Sequence, residues 1–272
     1  MKFRCAFCGG DSPSDLPESR ICGKCAERLA VARSEYAYPA ASVAVQEGSG
    51  DLWLIARRHS IIFHPDWQAR FTSSVDLDVY HGHLLNSPHP QEVLAGLASV
   101  VYWGFFSGAD GLLRDGRART RAKWFLKGRS GGSTIDPSHV FKVVAAARQW
   151  LARRQPGRAL REISRLKELG QVAFASKVVT FLDPELAAVY DSRIAQTTKE
   201  YAALRSLQMN PNQGGVTGPK QERYKRWCNY CLEIATHLNQ GIVAGRSWHW
   251  TDWDQTRHRW RPVDVERALF VS

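Results

Sequence analysis

No apolar run in this chain of 272 residues approaches the length of a membrane-crossing helix, which excludes a helical membrane protein. Met1-Lys-Phe-Arg-Cys5 leads straight into a cysteine motif and leaves no room for a signal peptide, so the expected setting is cytoplasmic and reducing. There is no Gly-rich nucleotide loop of the Walker or Rossmann kind, no Ser-His-Asp set at a family spacing, and no internal repeat. These absences exclude P-loop and dinucleotide enzymes, triad hydrolases and solenoids. Acidic residues are also short, at 26 against 37 Lys and Arg, giving a net charge of +11 and a pI near 9.6. Such a balance argues for a polyanionic partner. Ten tryptophans strengthen a nucleic-acid reading, because aromatic faces stack on unpaired bases. An apolar content of 44% fits a folded protein with one good-sized core and a small appendage.

Cysteine is scarce, yet four of the six lie in two CxxC knuckles, Cys5-Ala-Phe-Cys8 and Cys22-Gly-Lys-Cys25. Gly9 and Gly23 let backbone amides turn toward the sulfurs. Four thiolates at this spacing suit a closed tetrahedral Zn²⁺ site with a structural role. Two disulfides are the alternative, disfavoured in a reducing compartment. The third pair, Cys228 and Cys231, lacks partners in sequence and reads as thiols of a helix. His81 and His83 have no Cys or carboxylate company and read as exposed side chains, not a metal site.

Residues 1–34 are thus expected to form a four-cysteine zinc ribbon ending in a helix over Ala26–Arg33. Residues 35–89 read as a small strand-containing segment, with short apolar runs at Ser42–Gln46, Leu52–Ala56 and Ser60–His64. Residues 90–272 read as helical. Val93, Leu97, Val100 and Val101 share one face of a helix opened by Pro90. Asp136-Pro137 caps another, Ile163, Leu166 and Leu169 mark the inner face of a helix over 156–169, and a further helix spans 221–238. The helix after Asp191 is expected to reach about Leu207, and 210–219 reads as a surface loop or lid. The run from Arg114 to Lys123 holds Arg117, Arg119, Arg121 and Lys123, which read either as a solvated face or as phosphate contacts. Trp103 and Phe106, in an aromatic stretch with glycines that permit close approach, read either as core or as the lining of a base pocket.

One pair carries potential chemistry. Lys177 lies in a short apolar helix, and Asp191 stands at the N-cap position of the next. A lysine attacks carbon as the neutral amine, which burial or the positive end of a helix favours. A carboxylate across the same pocket takes protons or steadies a developing sugar cation. The plain alternative is an exposed helix lysine and a simple capping aspartate.

Ala-Ser176-Lys177-Val-Val-Thr-Phe followed by Val-Tyr-Asp191-Ser-Arg-Ile resembles the helix-hairpin-helix DNA glycosylases, and most closely their 8-oxoguanine branch. The likeness is specific over residues 158–195 and loose over 90–270. It implies a mainly α, helix-hairpin-helix fold and DNA containing a modified base as partner. It also implies attack of Lys177 on C1′ of a flipped nucleotide, with Asp191 assisting and Gly170 and Ser176 in the hairpin's grip on DNA. The family's Leu-Pro-Gly-Val-Gly-x-Lys hairpin is replaced here by a longer stretch whose only glycine is Gly170. The iron–sulfur cysteine spacing of some relatives is missing, so no redox cluster is implied. The expected activity is base excision, with strand cleavage through a Schiff base, in repair or antiviral defence. Two other classes stay open: a non-catalytic nucleic-acid-binding protein with a zinc ribbon, and an interaction protein whose ribbon docks a partner.

Overall fold

Apolar spacing near 3.6 residues dominates the chain from Leu77 onward, and helices form there accordingly. A computed structural model describes residues 2–5, 11–13, 21–36, 41–45, 52–56, 71–106, 114–130, 134–241 and 246–271. Ten α-helices and three two-stranded antiparallel ladders lie among them, so the protein is mainly helical. Strand β1 (Lys2–Arg4) pairs with β2 (Asp11–Pro13), and helix α1 (Gly23–Ser34) follows. Strand β3 (Ser42–Val45) pairs with β4 (Leu52–Ala56), with a bulge between Ser42 and Val43. Both strands match the sequence expectation; the run at 60–64, with His59 and His64, lies outside the described residues.

Helix α2 (Ser74–Leu85) occupies part of the segment read as strand-containing. Its start is fixed by a capping box. The Ser73 hydroxyl accepts from the Asp76 amide, and the Asp76 carboxylate accepts from the Ser73 amide. This helix also corrects the reading of His81, which is fully buried. One ring nitrogen lies 3.0 Å from the Leu77 carbonyl and the other 3.0 Å from the Ser99 hydroxyl. Burial pushes its pKa down to about 4, so it is a neutral core residue. His83, on the opposite face, is exposed as read.

Helices α3 (Pro90–Phe106), α4 (Asp115–Lys127), α5 (Pro137–Ala152), α6 (Pro156–Ile163), α7 (Val172–Leu182), α8 (Ser192–Glu200) and α9 (Gly218–Asn239) follow. The Asp136 carboxylate caps α5, accepting from the Ser138 and His139 amides, with Pro137 at the first helical position. Helix α6 stops at Ile163, earlier than the pattern suggested, yet Leu166 and Leu169 are buried in the turns beyond it. The path there includes Glu168 at φ +61°, a left-handed residue that ends any helix. Helix α8 likewise stops at Glu200, and Ala202–Leu207 continues as a 3-10 helix. The buried Tyr190 hydroxyl holds this bend, accepting from the Met209 amide at 3.0 Å. Strands β5 (Trp250–Thr251) and β6 (Arg257–His258) precede α10 (Pro262–Val271).

Helix α7 is apolar on nearly every side and almost wholly buried, which makes it the centre of the core. Helix α1 is anchored to the other end of the chain. Its fully buried Arg33 donates to the Asp264 carboxylate at 3.0 and 2.9 Å and to the Ser74 hydroxyl at 2.6 Å. The Arg33 guanidinium also lies 3.5 Å from the Trp250 ring centroid. Arg261 and Arg267 of the α10 region both bind Asp78 of α2. A buried ionic network therefore joins α1, α2 and α10. No described helix is long and apolar enough to cross a membrane.

Candidate active site

Lys177 sits in the middle of α7, not at its start, and is 6% exposed. Its stem crosses α3 at Gly104. A Cβ placed there would come within 3.1 Å of Lys177 Cδ and of Phe174 Cε1. A side chain at Gly104 would press on the lysine stem. Lys177 Nζ is 3.2 Å from Asp191 Oδ2 and lies 5.8 Å from the Trp103 ring centroid.

Asp191 has extended backbone geometry at the N-cap of α8, as expected. Its Oδ1 accepts from the Arg193 and Ile194 amides at 3.0 and 3.2 Å, leaving Oδ2 for the lysine. Two amides and an ammonium therefore share one carboxylate and fix its orientation. Ser176, expected to touch DNA, is instead fully buried. Its hydroxyl accepts from the Tyr190 amide at 3.1 Å and so ties the segment before Asp191 to α7. Gly170 lies in the turn between α6 and α7, but an added Cβ would meet only the Ser164 carbonyl at 3.7 Å. The left-handed position of this corner is taken by Glu168 instead. The 210–219 loop docks on the start of α7, where Ala173 donates to the Pro211 carbonyl and Gln171 to that of Asn212.

Lys177 and Asp191 line a narrow cleft with Trp103, Thr180, Tyr36, Glu266, Arg267 and Phe270. Its enclosed space is about 20 Å³, room for one water. Trp103 is thus a wall of the cleft. Phe106 is not: it is fully buried and packs on Tyr102 at 5.3 Å, a core residue. The sequence reading missed the wall from α10. Glu266 is 4% exposed there, and burial together with the Asp191 charge pushes its pKa up to about 8 against the pull of Arg267, Lys177 and Arg33. A signal existed: in Val263-Asp-Val-Glu-Arg-Ala-Leu269, apolar residues surround the charges, so a helix there must bury some of them.

The basic run forms α4. Arg117 and Lys123 are exposed. Arg119 is paired with Asp115 at 2.9 Å, and Arg121 with Glu168 at 3.4 Å, a carboxylate that also binds Arg129. Arg117 and Arg121 lie over the Phe105 ring, which stacks on Phe174 at 4.2 Å. Phe174 in turn is 5.9 Å from Lys177 Nζ. A strip of cations and rings thus leads from α4 to the cleft.

The sulfurs of Cys5, Cys22 and Cys25 all lie within 4.8 Å of one another. Cys5 Sγ is 3.6 Å from Cys25 Sγ and accepts from the Cys22 amide at 3.3 Å. Cys8 lies outside the described residues. Three sulfurs this close suit a metal cation, whose charge would let them ionise side by side. Cys228 and Cys231 are fully buried in α9, where burial pushes the Cys228 thiol up to about 12 and raises Cys231 well above the ordinary thiol range. They are thiols of a helix, as read.

Comparison with protein-family models, curated proteins and solved structures found no match. The reading of function therefore rests on residues and geometry.

Proposed function

We propose that the protein is a DNA glycosylase that excises a modified base through a lysine Schiff base. The observation that carries this reading is the buried Lys177 amine 3.2 Å from an aspartate whose other oxygen is pinned by two helix amides. Helix α6, the turn after it and α7 are read as the hairpin of a helix-hairpin-helix glycosylase fold. Lys177 attacks C1′ of a flipped nucleotide, and Asp191 takes a proton from the amine and balances positive charge on the sugar. Flipping costs a few kcal/mol of unstacking. Phosphate contacts from Arg117, Arg121 and Lys123 offset it, with Phe105 and Phe174 between those cations and the cleft. A base needs far more room than one water, so the cleft must widen to admit it. The three sulfurs, with Cys8, are read as a structural Zn²⁺ site of a ribbon.

The test is incubation with duplexes carrying a panel of modified bases, with borohydride present. A trapped adduct with the wild type and none with Lys177→Gln is expected. Adducts that persist in Lys177→Gln would assign the chemistry elsewhere. The closeness of the cleft favours one second reading, a non-catalytic nucleic-acid-binding protein in which Lys177–Asp191 is a structural ion pair. That reading expects tight, salt-sensitive DNA binding with no adduct on any duplex.

A further inference from the structure

Resting on the glycosylase reading of Lys177, we infer that Glu266 is the acid of this cleft: it holds a proton beside the Lys177–Asp191 pair and gives it to the group leaving C1′. Glu266 stands on α10, almost fully buried, in the wall that faces Lys177 and Asp191. Among the described residues, no basic side chain comes within ion-pairing distance of its carboxyl. Arg267, its neighbour, points its guanidinium at Asp78, with nitrogens 3.0 and 2.5 Å from the two carboxylate oxygens. Lys177 is taken by Asp191, and Asp191 by Lys177 and two amides. The cleft therefore holds two carboxyl groups with different surroundings, one compensated and one not. Such a division separates a charge-balancing carboxylate from a proton donor.

The charged and titratable groups around Glu266 are Asp191 ahead of α8, Lys177 on α7, Arg33 on α1, Arg267 on α10, Cys231 on α9 and the Tyr36 phenol. Burial and Asp191 outweigh the three cations and raise the Glu266 pKa to about 8, so the group is protonated at neutral pH.

The balance of the step is the same for either leaving group. When a base leaves, the amine lone pair bonds to C1′ and the glycosidic electron pair goes to the base nitrogen. That nitrogen takes the Glu266 proton. At an abasic site the amine adds to the aldehyde carbon, and a proton moves from nitrogen to oxygen to give a carbinolamine. The nitrogen lone pair then expels the hydroxyl, which leaves as water with the Glu266 proton. Both routes end with a cationic nitrogen on C1′ and a Glu266 carboxylate facing it.

Abasic DNA is the probe, because it needs the acid without needing the right base. The experiment measures borohydride trapping on a duplex with one abasic site, from about pH 6 to about pH 9, for wild type, Lys177→Gln and Glu266→Gln. Wild-type trapping is expected to fall as pH rises past about 8, where the acid is lost. Glu266→Gln is expected to trap roughly 100-fold more slowly and without that fall, while binding the duplex with unchanged salt dependence. A Glu266→Gln protein that traps at the wild-type rate with the same alkaline fall overturns the acid role alone. Equal trapping by wild type and Lys177→Gln, or none by wild type, overturns the lysine reading and this inference with it. Should Glu266→Gln fail to fold, infrared spectroscopy of Asp191→Asn replaces it. The neutral-carboxyl band is then expected to titrate at lower pH than in wild type, and an unmoved band overturns the proposal.

Discussion

Asp191 carries two burdens that different substitutions separate. Asn caps a helix about as well as Asp, so Asp191→Asn keeps the bonds to the Arg193 and Ile194 amides and loses only the charge facing Lys177. Both variants leave the buried Lys177 without its counter-charge, which costs about 3 kcal/mol, and Ala also loses the cap, worth about 1 kcal/mol. Denaturant midpoints are therefore expected to fall in the order wild type, Asn, Ala, with the larger step at Asn. Equal midpoints for the two variants would show that the cap contributes nothing. On abasic DNA, Asp191→Asn should still bind while trapping falls by about 100-fold or more. Lys177 and Asp191 were legible in the sequence because a cap position and an apolar helix are local patterns. Glu266 was not, since a charge in a terminal helix looks solvent-facing until α1 and α9 cover it. His81 failed for the same reason: its burial is decided by α3 and α7, through Ser99 and Phe181.

At the scale of elements, α3 meets the Lys177 and Phe174 side chains of α7 at Gly104. A methyl group there would press on Lys177 Cδ and Phe174 Cε1, both at 3.1 Å. Gly104→Ala is expected to slow trapping at least tenfold by displacing the amine, with DNA affinity little changed. A variant with wild-type trapping would mean that the lysine stem has slack. Helix α4 makes a separate prediction. Arg117 is exposed beside Phe105, whereas Arg119 is neutralised by Asp115. Arg117→Ala should reduce the log–log salt slope of DNA binding by about one unit, and Arg119→Ala by less. A larger effect at Arg119 would place the DNA on another face. Helix-period spacing made α3, α5, α7 and α9 readable, and it overran α6 and α8. Those two ends depend on contacts the spacing does not encode: the left-handed Glu168 held by Arg121 and Arg129, and the Tyr190 hydroxyl gripping Met209.

For the whole molecule, two buried groups tilt stability in opposite directions with pH. His81 titrates near 4 when folded and 6.5 when exposed, so stability is complete above about 6.5 and is lost as pH falls toward 4. Glu266 titrates near 8 when folded and 4.5 when exposed, so its protonated form favours the fold below about 4.5 and stability is lost as pH rises toward 8. The two slopes oppose each other from 4.5 to 6.5; above 6.5 Glu266 acts alone, at about 1.4 kcal/mol per pH unit. Melting temperatures should decline from pH 6.5 to 8 in wild type and stay flat in Glu266→Gln; parallel curves would refute the assignment. Loss of any metal held by Cys5, Cys22 and Cys25 should also be felt globally, because α1 is bolted to α10 through Arg33 and Asp264. Cys25→Ser is expected to lower a single cooperative transition, and two separate transitions would show that the N-terminal cysteine segment melts on its own. The Arg33–Asp264 bond also spans 231 residues of chain. At a synthesis rate of about 5–20 residues per second, the arginine waits roughly 10 to 50 seconds on the ribosome for its partner. Through that interval the cleft has no α10 wall, so a half-made chain holds Lys177 without the enclosure that Glu266, Arg267 and Phe270 complete.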